Sequence, residues 1–301
     1  MRIDAETVAV ITGAASGIGR ALAHAALSRG ARLVLADIRA DALAETVTEL
    51  APKGEVIGVR TDVSLAADMD ALAAAAIARF GAVNLLVNNA GVFASGVAWE
   101  LSEAEYDWVI GVNQRSVAHG IRAFVPHMIA QGGPGHVVTI ASGAGITVNP
   151  GFASYSMTKH AVVALTEALY LDLTAEGVTH IGVTIAMPGM TRSDIMNPEK
   201  TSPVGLVSGL RTRFSNPRLD HLERLMRAGV DAGLPVEDLA REVLDAVEAG
   251  ALYVLPGFAD AASRAFAEAV GQGRATGRNP YPAVMPAAAA SGPGFTPDGI
   301  S

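Results

Sequence analysis

Seven short apolar runs recur along this 301-residue chain, and their lack of in–out alternation is the feature that most limits its fold. The runs are 8–12 (VAVIT), 32–37 (RLVLAD), 55–60, 84–88 (NLLVN), 136–141 (HVVTIA), 180–186 (HIGVTIA) and 251–255 (ALYVL). A strand with one wet face alternates polar and apolar residues. A continuous apolar strand is covered on both faces, as in parallel sheets flanked by helices. Amphipathic stretches around 17–29, 40–50, 66–80, 103–130, 153–175 and 235–249 supply those helices. With right-handed crossovers the expectation is an α/β chain, a doubly wound parallel sheet of about seven strands with helices on both faces. Half of the residues are hydrophobic and 17% are charged, so a large core is available to one domain.

The formal net charge of −8 leaves no basic footprint for nucleic acid. The absence of Cys excludes a disulfide, a thiolate nucleophile and Cys-bound zinc. No His/acid cluster has metal-ligand spacing, so no metal is expected. Asp4 and Glu6 interrupt the N-terminus where a signal peptide needs an apolar core. No segment offers about 18 unbroken apolar residues, and a cytoplasmic protein without a membrane partner is the expectation.

Two stretches leave the rhythm. Residues 190–234 form an insertion containing an amphipathic segment, RLDHLERLMRAG, with Leu219, Leu222, Leu225 and Met226 on one side. An excursion of that length reads as a substrate lid. Residues 192–227 carry seven Arg/Lys and four Asp/Glu, which reads as a solvated helix face before an anion-attracting one. The domain is drawn at 1–270, and 271–301, with five of the fifteen prolines, as a flexible tail or inter-subunit arm.

Directly after the first strand comes TGAASGIG, residues 12–19. Gly13 suits the sharp strand exit, Gly17 lets a pyrophosphate approach the backbone, and Gly19 permits close helix–strand contact. The next helix aims free N–H groups and its positive end at the anion. Asp37 closes the second strand eighteen positions past Gly19, where a carboxylate accepts from both hydroxyls of an adenosine ribose. It would repel a 2′-phosphate by about 4 kcal/mol at 4 Å and an effective dielectric near 20. NAD is therefore expected ahead of NADP, with Arg39 and Arg20 as the residues that could soften the preference.

These glycines, Asp62-Val63, NNAG at 88–91, Asn113, Ser142, YSMTK at 155–159 and Pro188-Gly189 resemble the short-chain dehydrogenase/reductase family, in register over about residues 5–192. The resemblance implies a Rossmann fold and an NAD-dependent enzyme acting on a secondary alcohol or ketone. Its implied catalytic set is Asn113, Ser142, Tyr155 and Lys159. Tyr155 would be the general acid/base, with an unperturbed pKa near 10 that is too high for neutral work. Lys159, one helical turn on, would lower it and grip the nicotinamide ribose. Ser142 would orient the substrate oxygen, and Asn113 would hold a water relaying protons to Lys159.

The implied cofactor contacts are Gly13, Ser16, Gly17, Ile18, Gly19, Asp37, Asp62, Val63, Asn89, Ala90, Gly91, Tyr155, Lys159, Pro188, Gly189, Thr191 and Ser193. Thr191 stands where the family usually has an apolar residue, and Ser116 where it commonly has Gly. Phe93, Val148, Phe152, Met187, Met190 and Met196 are the expected substrate wall, an apolar and partly flexible set. The stretches at 106–113 and 252–256 are similar to a branch that includes dehydrogenases of aryl-substituted alcohols. His160 is read as helix surface or packing. The alternatives are an NAD-using epimerase or dehydratase of the same fold, and a non-catalytic dinucleotide-sensing protein. A homodimer or homotetramer through the helices of 103–130 and 153–175 is implied by the resemblance alone.

Overall fold

All seven apolar runs become strands of one parallel sheet in the computed structural model, which describes residues 1–197, 217–257 and 261–281. The strands are β1 Val8–Thr12, β2 Arg32–Asp37, β3 Val56–Arg60, β4 Leu85–Asn88, β5 Gly135–Ile140, β6 Ile181–Ala186 and β7 Tyr253–Val254. Their order across the sheet is β3-β2-β1-β4-β5-β6-β7. Among the described residues the helices are α1 Gly17–Ser28, α2 Ala40–Leu50, α3 Ala66–Phe80, α4 Glu103–Val109, α5 Ser116–Gln131, α6 Ala153–Ala175, α7 Pro217–Asp231, α8 Val236–Ala249 and α9 Ala261–Thr276.

The missing alternation has the cause expected of it. Successive residues of β1 point to opposite sides, yet all five are buried. Ala9 and Ile11 join Leu33, Leu35 and Leu85 beneath α1 and α8, against Leu22, Leu239 and Val243. Val8 and Val10 join Val34 and Leu86 on the other face, against Met69, Phe124, Met128 and Leu169 of α3, α5 and α6. Removing such a side chain from water contributes about 1.5–3 kcal/mol each.

Three features depart from the sequence reading. The stretch expected as one helix over 103–130 is interrupted by a π-helical turn, Ile110–Arg115, between α4 and α5. The Asn113 side chain on this turn bonds the backbone of Val92, which ties the widened turn to the segment after β4. Helix α9 runs through Thr276, past the boundary drawn at 270, so the tail as drawn begins inside a helix. Residues 282–301 lie outside the described residues. In the insertion, an isolated bridge pairs Thr191 with Leu234, and the Leu234 N–H donates to the Met190 carbonyl at 2.9 Å. The excursion thus leaves and rejoins the body at one point. On α7, Leu225 is exposed, whereas Met226 packs against the cluster of Phe93, Phe152 and Tyr155. The side chains of Leu219 and Leu222 are outside the described set.

One buried ionisable group in the sheet makes stability depend on pH. His136 on β5 is 1% exposed, and burial, with a minor contribution from the N-terminal amine, pushes its pKa down to about 3. The Thr184 hydroxyl donates to the Ala251 carbonyl at 2.7 Å, so it accepts the Nε2–H of a neutral His136 at 2.7 Å. A base whose folded pKa is depressed adds stability that is complete above its unfolded value near 6.5. That stability is lost as pH falls toward 3, by up to about 1.4 kcal/mol per pH unit. Chemical denaturation between pH 7 and pH 4 should give a shallower pH slope for His136→Gln than for the parent. Equal slopes would show that His136 is not the group responsible.

Candidate active site

The strand order reverses between β1 and β4, and an open α/β sheet presents its ligand site in the crevice beyond such strand ends. Here the two ends are fastened together. The Thr12 hydroxyl accepts the N–H of Asn89 at 3.0 Å and of Ala90 at 3.1 Å, and Asn89 Nδ2 donates to the Thr12 carbonyl at 2.8 Å. A cleft of about 1300 Å³ runs along this crevice.

The glycine loop forms one end of the cleft. Gly13 has φ +65°, a left-handed conformation that follows the strand exit. A Cβ on Gly19 would lie 2.2 Å from the Gly13 carbonyl oxygen, so α1 packs on the loop with no room for a side chain. Ser16, at the start of α1, makes no side-chain cap; its hydroxyl accepts instead from Arg39 Nη2 at 2.8 Å. The first-turn amides of α1 therefore lack a side-chain cap at the positive end of a helix, a donor set suited to a diphosphate. Across from them, a Cβ on Gly17 would stand 3.6 Å from Ser193 Cβ. These residues fit a dinucleotide.

Asp37 is 5% exposed at the end of β2 and borders the cleft. Its carboxylate accepts from the Ala15 N–H at 3.1 Å, the Arg39 N–H at 3.0 Å and Arg39 Nε at 3.2 Å. The Arg39 guanidinium is thus held between Asp37 and Ser16. Arg20 turns away, paired with Glu49. Asp62, Val63, Ile18, Ala90, Gly91, Pro188, Gly189 and Thr191 border the same cleft, while Gly19 lies behind it as packing.

Ser142, Tyr155 and Lys159 all line the cleft. Ser142 follows β5, and α6 places Tyr155 and Lys159 one turn apart on the same side. Burial of both groups acts on their acidity. Burial pushes the Tyr155 phenol up to about 12, opposed by its hydrogen bond with Ser142. Lys159 Nζ lies 5.6 Å from the centre of the tyrosine ring and donates to the Ile140 carbonyl at 2.9 Å. Burial pushes this lysine down to about 8. A four-residue spacing sets the side on which two groups stand, not how close the ammonium comes to the phenolic oxygen.

Asn113 is 1% exposed and does not border the cleft. Its Oδ1 accepts the Val92 N–H at 2.8 Å; its Nδ2 donates to the Val92 carbonyl at 2.9 Å and to Thr158 Oγ1 at 3.2 Å. Both amide hydrogens are committed, so the side chain ties the π turn to the segment after β4 and to Thr158, the neighbour of Lys159. It remains close to the chemistry: a Cβ on Gly91 would be 3.6 Å from both Asn113 Oδ1 and Lys159 Nζ.

Phe93, Phe152, Met190 and Met196 line the cleft as expected. Phe93 meets Phe152 and Tyr155 edge-on, with ring centres 5.0 and 5.1 Å apart, and so encloses the tyrosine in apolar surface. Two expected lining residues do not belong to this wall. Met187 stays in register past β6, its N–H donating to the Val254 carbonyl at 2.8 Å, and its side chain packs with Val117, Ala141 and Ile185. Val148 faces a separate cavity of about 240 Å³ behind Phe152. Sequence reasoning missed Trp108, Thr147, Asn149, Ile195, Val230 and Phe266, which also line the cleft. The apolar face of the insertion helix was a signal for Val230, beside Met226; nothing local singled out Phe266.

Known proteins match this chain over most of its length. The profile of the short chain dehydrogenase family matches residues 7–203. The C alpha-dehydrogenase of Sphingobium sp. is 35% identical over 83% of this chain and 80% of its own length. The 2-(R)-hydroxypropyl-CoM dehydrogenase of Xanthobacter autotrophicus is 35% identical over 80% and 89%. A short-chain dehydrogenase/reductase from Burkholderia phymatum, crystallised in complex with NAD, is 40% identical, covers 93% of this chain and 98% of its own, and superposes with a TM-score of 0.86. A profile spanning more than half of the sequence, and relatives aligned along four-fifths of it, place the chain in the short-chain dehydrogenases/reductases, oxidoreductases of CH–OH and carbonyl groups.

Proposed function

We propose that the chain oxidises a hydrophobic, aryl-bearing secondary alcohol, or reduces the matching ketone, with NAD as the preferred partner. The observation that carries this reading is one continuous cleft with an uncapped helix start and Asp37 at one end and an aromatic and methionine wall around Ser142 and Tyr155 at the other. Support for NAD comes from the Burkholderia relative's complex, and support for a secondary alcohol from the hydroxypropyl group in the Xanthobacter relative's name.

When bound, the nicotinamide supplies the hydride chemistry. Ser142 orients the substrate oxygen, and Tyr155 exchanges a proton with it. Lys159, with its Nζ on the Ile140 carbonyl, contributes positive charge to the same wall and a donor for the ribose. Asn113 fixes the Val92 backbone behind them. The excursion of 190–234 is read as the substrate lid, with Met190, Met196, Met226 and Val230 lining the cleft and 198–216 lying outside the described residues; exposed Ile129, Tyr170 and Leu171 support a homodimer or homotetramer through α5 and α6. Net NADH formation with an alcohol would exclude epimerisation and dehydration.

A phenol raised to about 12 is protonated at neutral pH, the form that ketone reduction requires. Alcohol oxidation requires the phenolate, so its kcat/KM should rise from pH 7 to pH 9. Tyr155→Phe should retain NAD binding while lowering turnover about 100-fold or more at every pH. Unchanged turnover would remove Tyr155 from the chemistry.

Asp37→Ala should remove the ribose acceptor and release Arg39 toward a 2′-phosphate. The ratio of kcat/KM for NADP to that for NAD should then rise about tenfold or more, the scale of one lost charge–charge interaction. A parent enzyme that already uses both cofactors equally would refute the role given to Asp37.

A further inference from the structure

Helix α6 presents two adjacent stripes. Tyr155 and Lys159 face the cleft; one residue on, Ser156 and His160 face the smaller cavity with Val148, Met157 and Arg274. His160 Nδ1 is 2.9 Å from the Ser156 carbonyl, which can only accept, so Nδ1 carries the ring proton and Nε2 is left as an acceptor. Arg274 Nη2 donates to it at 3.1 Å. The helix that carries the tyrosine and lysine is therefore held from its other side by α9.

The face of α9 that makes this contact also reaches the cleft. Phe266, Val270 and Arg274 recur every fourth residue and so share one side of the helix. Arg274 meets His160, Val270 between them is 0% exposed, and Phe266 lines the cleft with Ser263. Phe152 lines both cavities and stands edge-on to Tyr155, at 6.5 Å between ring centres. Movement of α9 relative to α6 would shift Phe266 and so change the shape of the cleft wall.

We propose that the Arg274–His160 contact is a positioning device that sets the size of substrate the enzyme accepts, by holding Phe266 in the wall of the cleft. The inference rests on the reading of that cleft as the alcohol/ketone site.

The test is NAD-linked oxidation of 2-propanol and of 4-phenyl-2-butanol by the full-length enzyme. Arg274→Ala should raise KM for the aryl alcohol about tenfold or more, the scale of a lost charged hydrogen bond, with kcat and the 2-propanol constants unchanged. Arg274→Lys, which keeps a donor, should restore the parent value. Combining Phe266→Ala with Arg274→Ala should change KM for the aryl alcohol no more than Phe266→Ala alone, because the two act through one contact. NADH formation with an unmoved aryl-to-propanol ratio of kcat/KM in Arg274→Ala would overturn the proposal and leave the functional reading standing. Oxidation of neither alcohol by the parent would overturn both.

Discussion

A charged amine buried in the wall of the cleft is the constraint around which this architecture is arranged. Lys159 is 4% exposed, and its described hydrogen-bond partner is the backbone carbonyl of Ile140, the last residue of β5. An ion in that position is costly unless something accepts its protons, and burial already draws its pKa toward 8. The carbonyl is available because β5 ends there. The same strand end delivers Ser142 two residues later, and α6 brings Tyr155 within reach of it. Strand length, serine position and helix register are thus coupled through one ammonium.

The surroundings tighten that coupling. Thr158, the residue before Lys159, accepts from Asn113, which in turn grips Val92 after β4. A π-helical turn supplies Asn113, and such turns recur at functional sites because they displace a side chain without ending a helix. On the opposite side of α6, His160 is engaged by Arg274. The helix bearing the tyrosine and lysine is fixed on two sides by polar contacts that do not border the cleft. That is the kind of support a site needs if its groups are to be preorganised.

How much of this was legible follows from which physical signal each part carries. The sheet was readable because strands covered on both faces write long apolar runs, and VAVIT at 8–12 and RLVLAD at 32–37 match their strands residue for residue. The glycine loop was readable because close backbone contact excludes side chains; Gly19 has no space for even one carbon. The π turn was not, since nothing in IGVNQR marks a widened helix. Helix α9 was not, because the small residues and glycines of AASRAFAEAVGQGRAT give a weak apolar stripe that tertiary contact completes. Met187 was misplaced because strand register persists one residue beyond β6. The depth at which Tyr155 and Lys159 lie was not legible, because sequence spacing carries no information on burial.

The pairing of Thr191 with Leu234 has a consequence for how such a protein diversifies. Departure and return sit side by side, joined by main-chain hydrogen bonds that no particular side chain must supply. A graft of different length or composition could be spliced between these two anchors without disturbing the order of β6 and β7. Met196, Met226 and Val230, which lie between the two anchors, could then be exchanged while Phe93, Phe152 and the glycine loop keep their places along the cleft.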